Sequence, residues 1–157
     1  MINAIHINEE LTTTGQVVLE QLQQAIQEGF KSVLNLRSPD ELGFLKTEQE
    51  LVEGLGLNYA HVPFKLEALS EELIDQILLQ LEQLPKPVVV HCAAGMRSTT
   101  IALLSIAVRE KLTVEETLAI ARSLGFGFFD YSLINPKIKQ FFVDYVNRYA
   151  EVSLVAA

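Results

Sequence analysis

The sequence has little of what several classes of protein require. Its single cysteine excludes an intramolecular disulfide, and 12 lysine and arginine residues against 20 acidic residues give a formal net charge of -8. Because the basic residues are too few to form a broad positive face, we expect no nucleic-acid partner. The longest apolar run, around Ile101 to Val108, is interrupted by Ser105 and falls short of the ~18 residues that a membrane span needs. No membrane partner is therefore expected.

The composition and the first residues indicate the class of protein and its expected compartment. Met1 is followed by a mixed polar segment, not by a basic region and an apolar stretch, so the cytoplasm is the expected compartment. A length of 157 residues with 49% hydrophobic residues is typical of a globular protein, and we predict a single domain over residues 1–157. No histidine or cysteine spacing indicates a metal site, and we expect neither a metal nor a cofactor.

Short apolar or alternating runs alternate with segments of helical periodicity. The runs that predict strands are 31–37, 57–64 and 86–92, with 2–8 as a weaker one. The segments that predict helices are 16–29, 47–56, 70–85, 113–125 and 135–150. Thr47 with Glu50, and Thr113 with Glu116, have the spacing of a capping box. The alternation predicts an α/β fold with a mainly parallel central sheet of four or five strands flanked by helices.

One stretch, VVVHCAAGMRSTT at 88–100, sets three valines directly before the cysteine and an arginine and hydroxyl residues after it. We interpret it as a buried strand, a tight turn and a helix that begins near Arg97 or Ser98. Ligands of open α/β sheets bind beyond the carboxyl ends of strands, and Cys92 lies at such an end. The positive potential of a helix N-terminus would favour its thiolate, which is the nucleophilic form.

The residues after Cys92 suit the binding of a tetrahedral anion. Consecutive backbone N–H groups can form an anion cradle, and glycine permits the backbone angles that such a turn needs. The predicted phosphate-binding residues are Ala93, Ala94, Gly95, Met96 and Arg97. Arg97 can hold an oxyanion with two parallel hydrogen bonds, and Ser98 can donate to the sulfur when it leaves a covalent intermediate. Cys92, Arg97 and Ser98 are therefore the predicted catalytic residues.

The segment HCAAGMRST resembles the active-site loop of cysteine-dependent protein tyrosine and dual-specificity phosphatases. With TTTGQVVLEQLQQAIQEGFKSVLNLRSPDE and YAHVPF before it, the chain resembles the bacterial phosphatase-like domain of beta-lactamase-hydrolase-like proteins, over roughly residues 10–110. The resemblance implies a dual-specificity-phosphatase-like fold, with Cys92 as nucleophile and Arg97 as phosphate clamp. It also implies a phosphorylated small molecule or a phosphoprotein, phosphotyrosine included, as the substrate.

The spacing between Cys92 and Arg97 departs from the usual phosphatase pattern. Four residues separate them, where the phosphatase pattern has five. Rhodanese-type sulfurtransferases use a six-residue loop that starts at their cysteine, so sulfur transfer through a persulfide on Cys92 is the alternative function. A noncatalytic domain that binds phosphorylated ligands is a third.

A second departure concerns the general acid, an aspartate that such phosphatases usually carry on the loop after the preceding strand. HVPFKLEALSEE contains no aspartate, and Glu67 is the nearest carboxylate. Asp40 and Asp130 are weaker candidates. The alternative is that no side chain supplies the proton, in which case only substrates with good leaving groups would be hydrolysed well.

Three further features have an open role. We expect His91 to orient the loop and not to carry protons, because its side chain should point away from that of Cys92. Arg37 either lines the same crevice or pairs with Asp40 or Glu41. The aromatic segment GFGFFDY, at 125–131, is interpreted as core or as part of the pocket rim.

Overall fold

A computed structural model describes residues 1, 3–126 and 136–156, with side chains described to residue 150. Its strands are β1 (Ile5–His6), β2 (Leu11–Thr14), β3 (Ser32–Asn35), β4 (Asn58–His61) and β5 (Val88–His91). Its α-helices are α1 (Leu19–Gln27), α2 (Glu48–Gly54), α3 (Glu71–Gln83), α4 (Met96–Glu110), α5 (Val114–Ser123) and α6 (Pro136–Ala156). A short 3-10 helix, Leu66–Ala68, precedes α3.

The five strands form one sheet in the order β1-β2-β5-β3-β4. Strands β2, β5, β3 and β4 are parallel, and only the edge strand β1 runs antiparallel to its neighbour. The predicted α/β class with a mainly parallel sheet is therefore confirmed. Thr14 and Asn35 both pair with His91 in the register of the central strands. The chain segments that follow β2, β5 and β3 consequently leave the sheet side by side.

Strand β2, with the sequence LTTT, was not among the predicted strands. All four residues are nevertheless buried. The Thr13 and Thr99 hydroxyls lie 2.9 Å apart and share a hydrogen bond, which offsets the cost of burying them. Threonine is β-branched and fits a pleated surface well, so a satisfied hydroxyl leaves it a good strand residue.

The predicted helices are confirmed, with two corrections at their starts. Helix α5 has the capping box, since the Thr113 hydroxyl accepts from the Glu116 N–H at 3.1 Å. At α2 the prediction is wrong. Thr47 makes no side-chain cap, because its backbone is not in the extended conformation that a capping residue adopts. Helix α4 begins at Met96, slightly before the predicted start.

The chain divides into two compact units, Met1–Ile101 and Ala102–Ala157. The first holds the whole sheet and every predicted site residue that the structure describes. One apolar cluster in it contains Val17, Leu22, Ala25, Val33, Val52, Leu57 and Val89. In the second unit, the buried side chains Phe142 and Tyr145 of α6 each contact the ring of Phe141. The single domain expected over residues 1–157 stays a prediction.

Two expectations from the sequence remain, one on Asp130 and the aromatic segment and one on membrane spans. Asp130 and most of the aromatic segment 125–131 lie outside the described residues. Among the helices that are described, none combines the length and the apolar character needed to cross a membrane.

Candidate active site

The Cys92 sulfur lies in the turn between β5 and α4. Its thiol is buried, and the backbone N–H of Gly95 donates a hydrogen bond to Sγ at 3.1 Å. Sγ also lies 3.6 Å from the Ser98 hydroxyl, to which the thiol donates. The Ser98 hydroxyl in turn donates to the carbonyl oxygens of Thr14 and Gly95, at 3.0 and 3.1 Å. When sulfur carries a negative charge, the same hydroxyl can turn to donate to it.

Gly95 allows the turn to close over the sulfur. Its φ of 97° lies in the left-handed region that residues with a side chain rarely adopt. Because α4 begins at Met96, the first N–H groups of this 15-residue helix have no acceptor within the helix. These donors and the helix dipole favour an anion at the same end of the helix as Cys92. Ala93, Ala94 and Met96 are exposed there.

The Thr-Gly-Gln element at 14–16, which includes the last residue of β2, packs directly on this loop. A Cβ on Gly15 would lie 2.7 Å from the carbonyl oxygen of Ala93, closer than real contacts allow. The N–H of Gln16 donates to that same carbonyl at 3.0 Å, and the N–H of Cys92 donates to the Thr14 carbonyl at 3.3 Å. Glycine at position 15 is therefore required by the close approach of two backbones.

The Arg97 guanidinium is held by the carboxylate of Glu41 and by one backbone carbonyl. It donates two hydrogen bonds to the Glu41 carboxylate, at 2.8 and 2.9 Å, and a third to the Phe64 carbonyl at 2.9 Å. The Glu41 carboxylate raises the pKa of Arg97, and the Cys92 sulfur acts in the same direction. The positive charge of Arg97 therefore interacts favourably with a negative charge on the sulfur as well as with its carboxylate partner.

Glu41 fixes this arginine and was missed as a site residue. Chiefly through its hydrogen bonds with Arg97, the pKa of Glu41 falls to about 2. Its carboxylate also accepts from Arg37 Nε at 3.3 Å and from the Ser38 N–H at 2.6 Å. Of the two roles open to Arg37, the structure favours pairing with Glu41. Asp40 instead forms a 2.6 Å ion pair with Lys65.

Arg37 stabilises the loop that carries Glu41. Its guanidinium is buried and donates to the carbonyl oxygens of Leu42 and Gly43, at 2.6 and 3.0 Å. A further bond, from Nη1 to Gln16 Oε1, measures 2.8 Å. Arg37, the last residue of an Asn-Leu-Arg element at 35–37, thus ties the loop after β3 to Gln16 of the Thr-Gly-Gln element.

The imidazole of His91 has a hydrogen-bond partner at each of its two ring nitrogens. Its Nδ1 lies 3.1 Å from the Cys92 carbonyl oxygen, and its Nε2 lies 2.6 Å from Glu48 Oε2. Both side chains are buried. Glu48 Oε1 accepts from Gln16 Nε2 at 2.6 Å. Because both ring nitrogens have partners, the orientation of the imidazole is fixed beneath the loop. The sequence analysis did not predict Glu48 or Gln16 as site residues.

A cavity of about 300 Å³ opens beside Arg97. It is lined by Asp40, Glu41, Lys65, Leu66, Glu67 and Arg97. Glu67 is exposed in the 3-10 helix Leu66–Ala68, so the structure brings it to the pocket of Arg97. Asp40, the weaker candidate acid, lies in the same wall.

Solved structures with the same fold carry phosphatase names. A DUF442 protein from Shewanella putrefaciens CN-32 aligns with a TM-score of 0.78 at 21% identity, covering 94% of this chain and 93% of that one. TpbA of P. aeruginosa, solved in complex with pTyr, aligns with a TM-score of 0.72 at 15% identity, covering 96% and 90%. The sheet and helices therefore define a fold of the protein tyrosine phosphatase class.

The family follows from sequence. The model of the phosphatase-like domain of beta-lactamase hydrolase-like proteins matches residues 4–109, and the chain belongs to that family. The Beta-lactamase hydrolase-like protein of Agrobacterium fabrum is 26% identical over 130 residues, which are 80% of this chain and 30% of that protein. The resemblance drawn from the sequence motifs is confirmed, and the chain spans about a third of the length of this curated relative.

Proposed function

We propose that this chain is a cysteine-dependent phosphatase that hydrolyses phosphomonoesters through a phosphocysteine on Cys92. The observation that carries the proposal is the surroundings of the sulfur. The Gly95 N–H and the Ser98 hydroxyl contact it at the N-terminus of α4, and the charge of the Arg97 guanidinium interacts favourably with a negative sulfur. These groups would supply the nucleophile, the anion-binding donors and the fixed cation that phosphoryl transfer requires.

In the first step the thiolate of Cys92 attacks phosphorus, an S–P bond forms and the ester P–O bond breaks. Backbone N–H groups at the start of α4 and the guanidinium of Arg97 compensate the charge on the phosphoryl oxygens. The leaving oxygen takes a proton from a carboxylic acid at the pocket wall, a role that we assign to Glu67. A phenol or alcohol leaves, and the phosphoryl group stays on sulfur.

In the second step water attacks phosphorus and the S–P bond breaks. The proton of the water returns to the carboxylate of Glu67, and the Ser98 hydroxyl donates to the departing sulfur, which leaves as thiolate. Inorganic phosphate is released and the enzyme is restored. The carbonyl acceptors of Ser98, on Thr14 and Gly95, hold its hydroxyl within reach of the sulfur at 3.6 Å.

The substrate class follows from the same chemistry. TpbA, which shares the fold, was solved with pTyr bound. The ring of a phosphorylated tyrosine or another aryl monophosphate would occupy the cavity of about 300 Å³ that Arg97 lines. We assign a phosphorylated small molecule or phosphoprotein as substrate, and no metal or cofactor takes part in the proposed steps.

Hydrolysis of p-nitrophenyl phosphate by wild type and Cys92→Ser tests the proposal. We expect turnover that vanadate inhibits in wild type and none in the variant, because a serine hydroxyl is not ionised at neutral pH. Equal thermal unfolding of the two proteins would show that the fold is intact. Sulfur transfer from thiosulfate to cyanide, with a persulfide on Cys92 by mass spectrometry, would establish the rhodanese-type alternative instead. Phosphate binding without turnover would indicate a noncatalytic binder.

A further inference from the structure

A buried carboxylate and a buried imidazole face each other beneath the loop that follows Cys92. His91 is fully buried and Glu48 is 1% exposed, and Nε2 of the imidazole lies 2.6 Å from Oε2 of the carboxylate. Burying such a pair costs free energy unless every proton and lone pair finds a partner. Neither side chain takes part in the proposed steps of phosphoryl transfer. The neighbours of the pair show where its hydrogen atoms lie.

Arg37 fixes the orientation of two side-chain amides near the pair. Its guanidinium donates to Gln16 Oε1 at 2.8 Å, so the carboxamide nitrogen of Gln16 is the atom that faces Glu48, 2.6 Å from its Oε1. Its backbone N–H donates to Asn35 Oδ1 at 2.8 Å, so the nitrogen of Asn35 faces the Tyr59 hydroxyl, at 3.0 Å. Because a guanidinium and a backbone N–H can only donate, both amide orientations are unambiguous.

Glu48 consequently receives hydrogen bonds and gives none to these neighbours. The Tyr59 oxygen accepts from Asn35, which leaves the phenolic proton for its hydrogen bond with Glu48. Burial raises the pKa of Tyr59 to about 12, and Glu48 acts in the same direction, as expected when a phenol donates to a carboxylate. Donors from Gln16 and Tyr59 stabilise the charged form of Glu48, which can only accept.

Both ring nitrogens of His91 must then carry a hydrogen atom. Nε2 faces the Glu48 carboxylate, and Nδ1 lies 3.1 Å from the carbonyl oxygen of Cys92, which is also an acceptor. A neutral imidazole could donate to only one of these two oxygens, and its buried lone pair would face the other. An imidazolium donates to both, and the charge of Glu48 balances its own.

The hydrogen bond from Nδ1 sets the direction of one peptide unit of the loop. In a planar trans peptide the carbonyl and the N–H point in opposite directions. The Cys92 carbonyl points to the buried His91, so the N–H of Ala93 points to the other side of the loop, where Ala93 is exposed. An N–H on that side, next to the cysteine, is placed to donate to a bound oxyanion.

We propose that His91 is an imidazolium held by Glu48, and that the pair orients the N–H of Ala93 toward the bound anion. Glu48 is then a positioning residue of the reaction, since it acts through His91 and contacts neither substrate nor sulfur. This inference rests on the proposed phosphatase function. It assigns a role to a buried charged pair that the reaction steps do not use.

The nitrogen chemical shifts of the His91 ring test its protonation by NMR. The chain has three histidines, so His6→Gln and His61→Gln assign the remaining signals to His91. In wild type near neutral pH we expect both ring nitrogens to show the shifts of protonated nitrogens. In Glu48→Gln the new carboxamide can accept from Gln16 and donate to Nε2. We therefore expect Nδ1 to keep its hydrogen in that variant and Nε2 to lose it.

Glu48→Met tests the positioning role, because methionine keeps the size of the side chain and cannot accept from Nε2. We expect it to lower kcat/KM for p-nitrophenyl phosphate about 100-fold and to weaken binding of inorganic phosphate, because one anion donor is no longer aligned. Glu48→Gln should lower kcat/KM by no more than about tenfold, since a neutral hydrogen bond from Nδ1 replaces a charge-assisted one.

Val52→Ala is the matched control. Val52 is buried in the same helix, α2, and belongs to the apolar cluster of the first unit. Its truncation should lower the free energy of unfolding and leave kcat/KM and phosphate binding of the folded protein unchanged. A Glu48→Met protein that folds and keeps the kcat/KM and phosphate affinity of Val52→Ala would overturn the inference, since Glu48 would then serve stability alone.

The spectra separate this inference from the proposed function. A wild-type spectrum with one unprotonated ring nitrogen on His91 would overturn the inference, whatever the activity. A Glu48→Gln spectrum with both nitrogens still protonated would overturn it as well, and this result does not depend on whether Glu48→Met folds. Wild type without turnover on any substrate would overturn the proposed function. The spectra and the phosphate affinities of Glu48→Met and Val52→Ala would then still decide whether the pair orients an anion donor.

Discussion

Gln16 and Glu48 share a hydrogen bond of 2.6 Å, from the carboxamide Nε2 to the carboxylate Oε1. The other end of the carboxamide, Oε1, accepts from Arg37 at 2.8 Å, and the other carboxylate oxygen of Glu48 lies 2.6 Å from His91. A carboxamide can accept from a guanidinium with its oxygen and donate to a carboxylate with its nitrogen at the same time. Gln16 therefore connects β5, the strand that ends just before Cys92, with the arginine that orders the loop of Glu41.

Replacement of this amide by an acid should destabilise the protein in a pH-dependent way. Gln16→Glu places two carboxylates where a donor and an acceptor now meet, and we expect a loss of about 1–3 kcal/mol in the free energy of unfolding near pH 8. At lower pH one of the two carboxylates takes up a proton and can donate again, so the loss should shrink. Urea unfolding at about pH 8 and pH 5 measures it.

Gln16→Met is the matched control, because it keeps the size of the side chain and removes both hydrogen bonds. Its loss of stability should be the same at the two pH values. If Gln16→Glu behaves like Gln16→Met at both, the contact between Gln16 and Glu48 does not contribute as described.

Gly15→Ala should disturb the loop that follows Cys92. The new Cβ would lie 2.7 Å from the Ala93 carbonyl oxygen, so the backbone of the loop must move. A displacement of about 1 Å at a reacting group can lower the rate about 100-fold, and we expect a loss of that order in kcat/KM for p-nitrophenyl phosphate. Gly54→Ala is the control. Gly54 ends α2 with open space around it, and alanine there should stabilise the helix by about 0.5–1 kcal/mol. Unchanged kcat/KM in Gly15→Ala would show that the loop tolerates the shift.

Much of the fold, and the position of Cys92 between a strand and a helix, could be predicted because they depend on local sequence pattern. Three features follow one another directly in the sequence: the valines of β5, the small residues after Cys92 and the long apolar helix. Periodicity and turn chemistry therefore identify them. The capping box of Thr113 is likewise local. By contrast, the buried threonines of β2 form a strand because Thr13 finds Thr99, a partner 86 residues away.

The long-range contacts around Cys92 depend on the order of the strands in the sheet. The pattern of neighbouring residues in the sequence does not reveal that order. Strand β5 lies between β2 and β3, so the segments with Gln16 and Arg37 flank Cys92. Glu41 meets Arg97 across 56 residues of sequence, and Glu48 meets His91 across 43. The Thr-Gly-Gln and Asn-Leu-Arg elements were the available signal, since their glutamine and arginine are the residues that form the network.

The ion pair between Glu41 and Arg97 should give the fold a defined acid dependence. The pKa of Glu41 is lowered from 4.5 to about 2 in the folded protein. A lowered folded-state pKa contributes stability that is fully present above pH 4.5 and is lost as the pH falls through about 2. We expect wild type to be more stable than Glu41→Gln at neutral pH, with the difference constant down to about pH 5 and shrinking below it. Urea unfolding across this range measures the difference. A difference that persists undiminished at the acid end would contradict the assigned cause.

Glu67 is the carboxylate of the pocket wall best placed to give up a proton. Asp40 is paired with Lys65, which lowers its pKa, and the pKa of Glu41 is about 2, so neither is a proton donor at neutral pH. Glu67→Gln should therefore lower kcat/KM for aryl phosphates with poor leaving groups about 100-fold, while kcat/KM for p-nitrophenyl phosphate, whose phenol leaves without a proton, changes little, because kcat/KM does not include hydrolysis of the phosphocysteine. The plot of log kcat/KM against leaving-group pKa should steepen, and Asp40→Asn should leave its slope unchanged. A wild type that already shows the steep slope, matched by Glu67→Gln across the series, would mean that no side chain supplies the proton. Equal losses on good and poor substrates would instead assign Glu67 a structural role in the 3-10 helix.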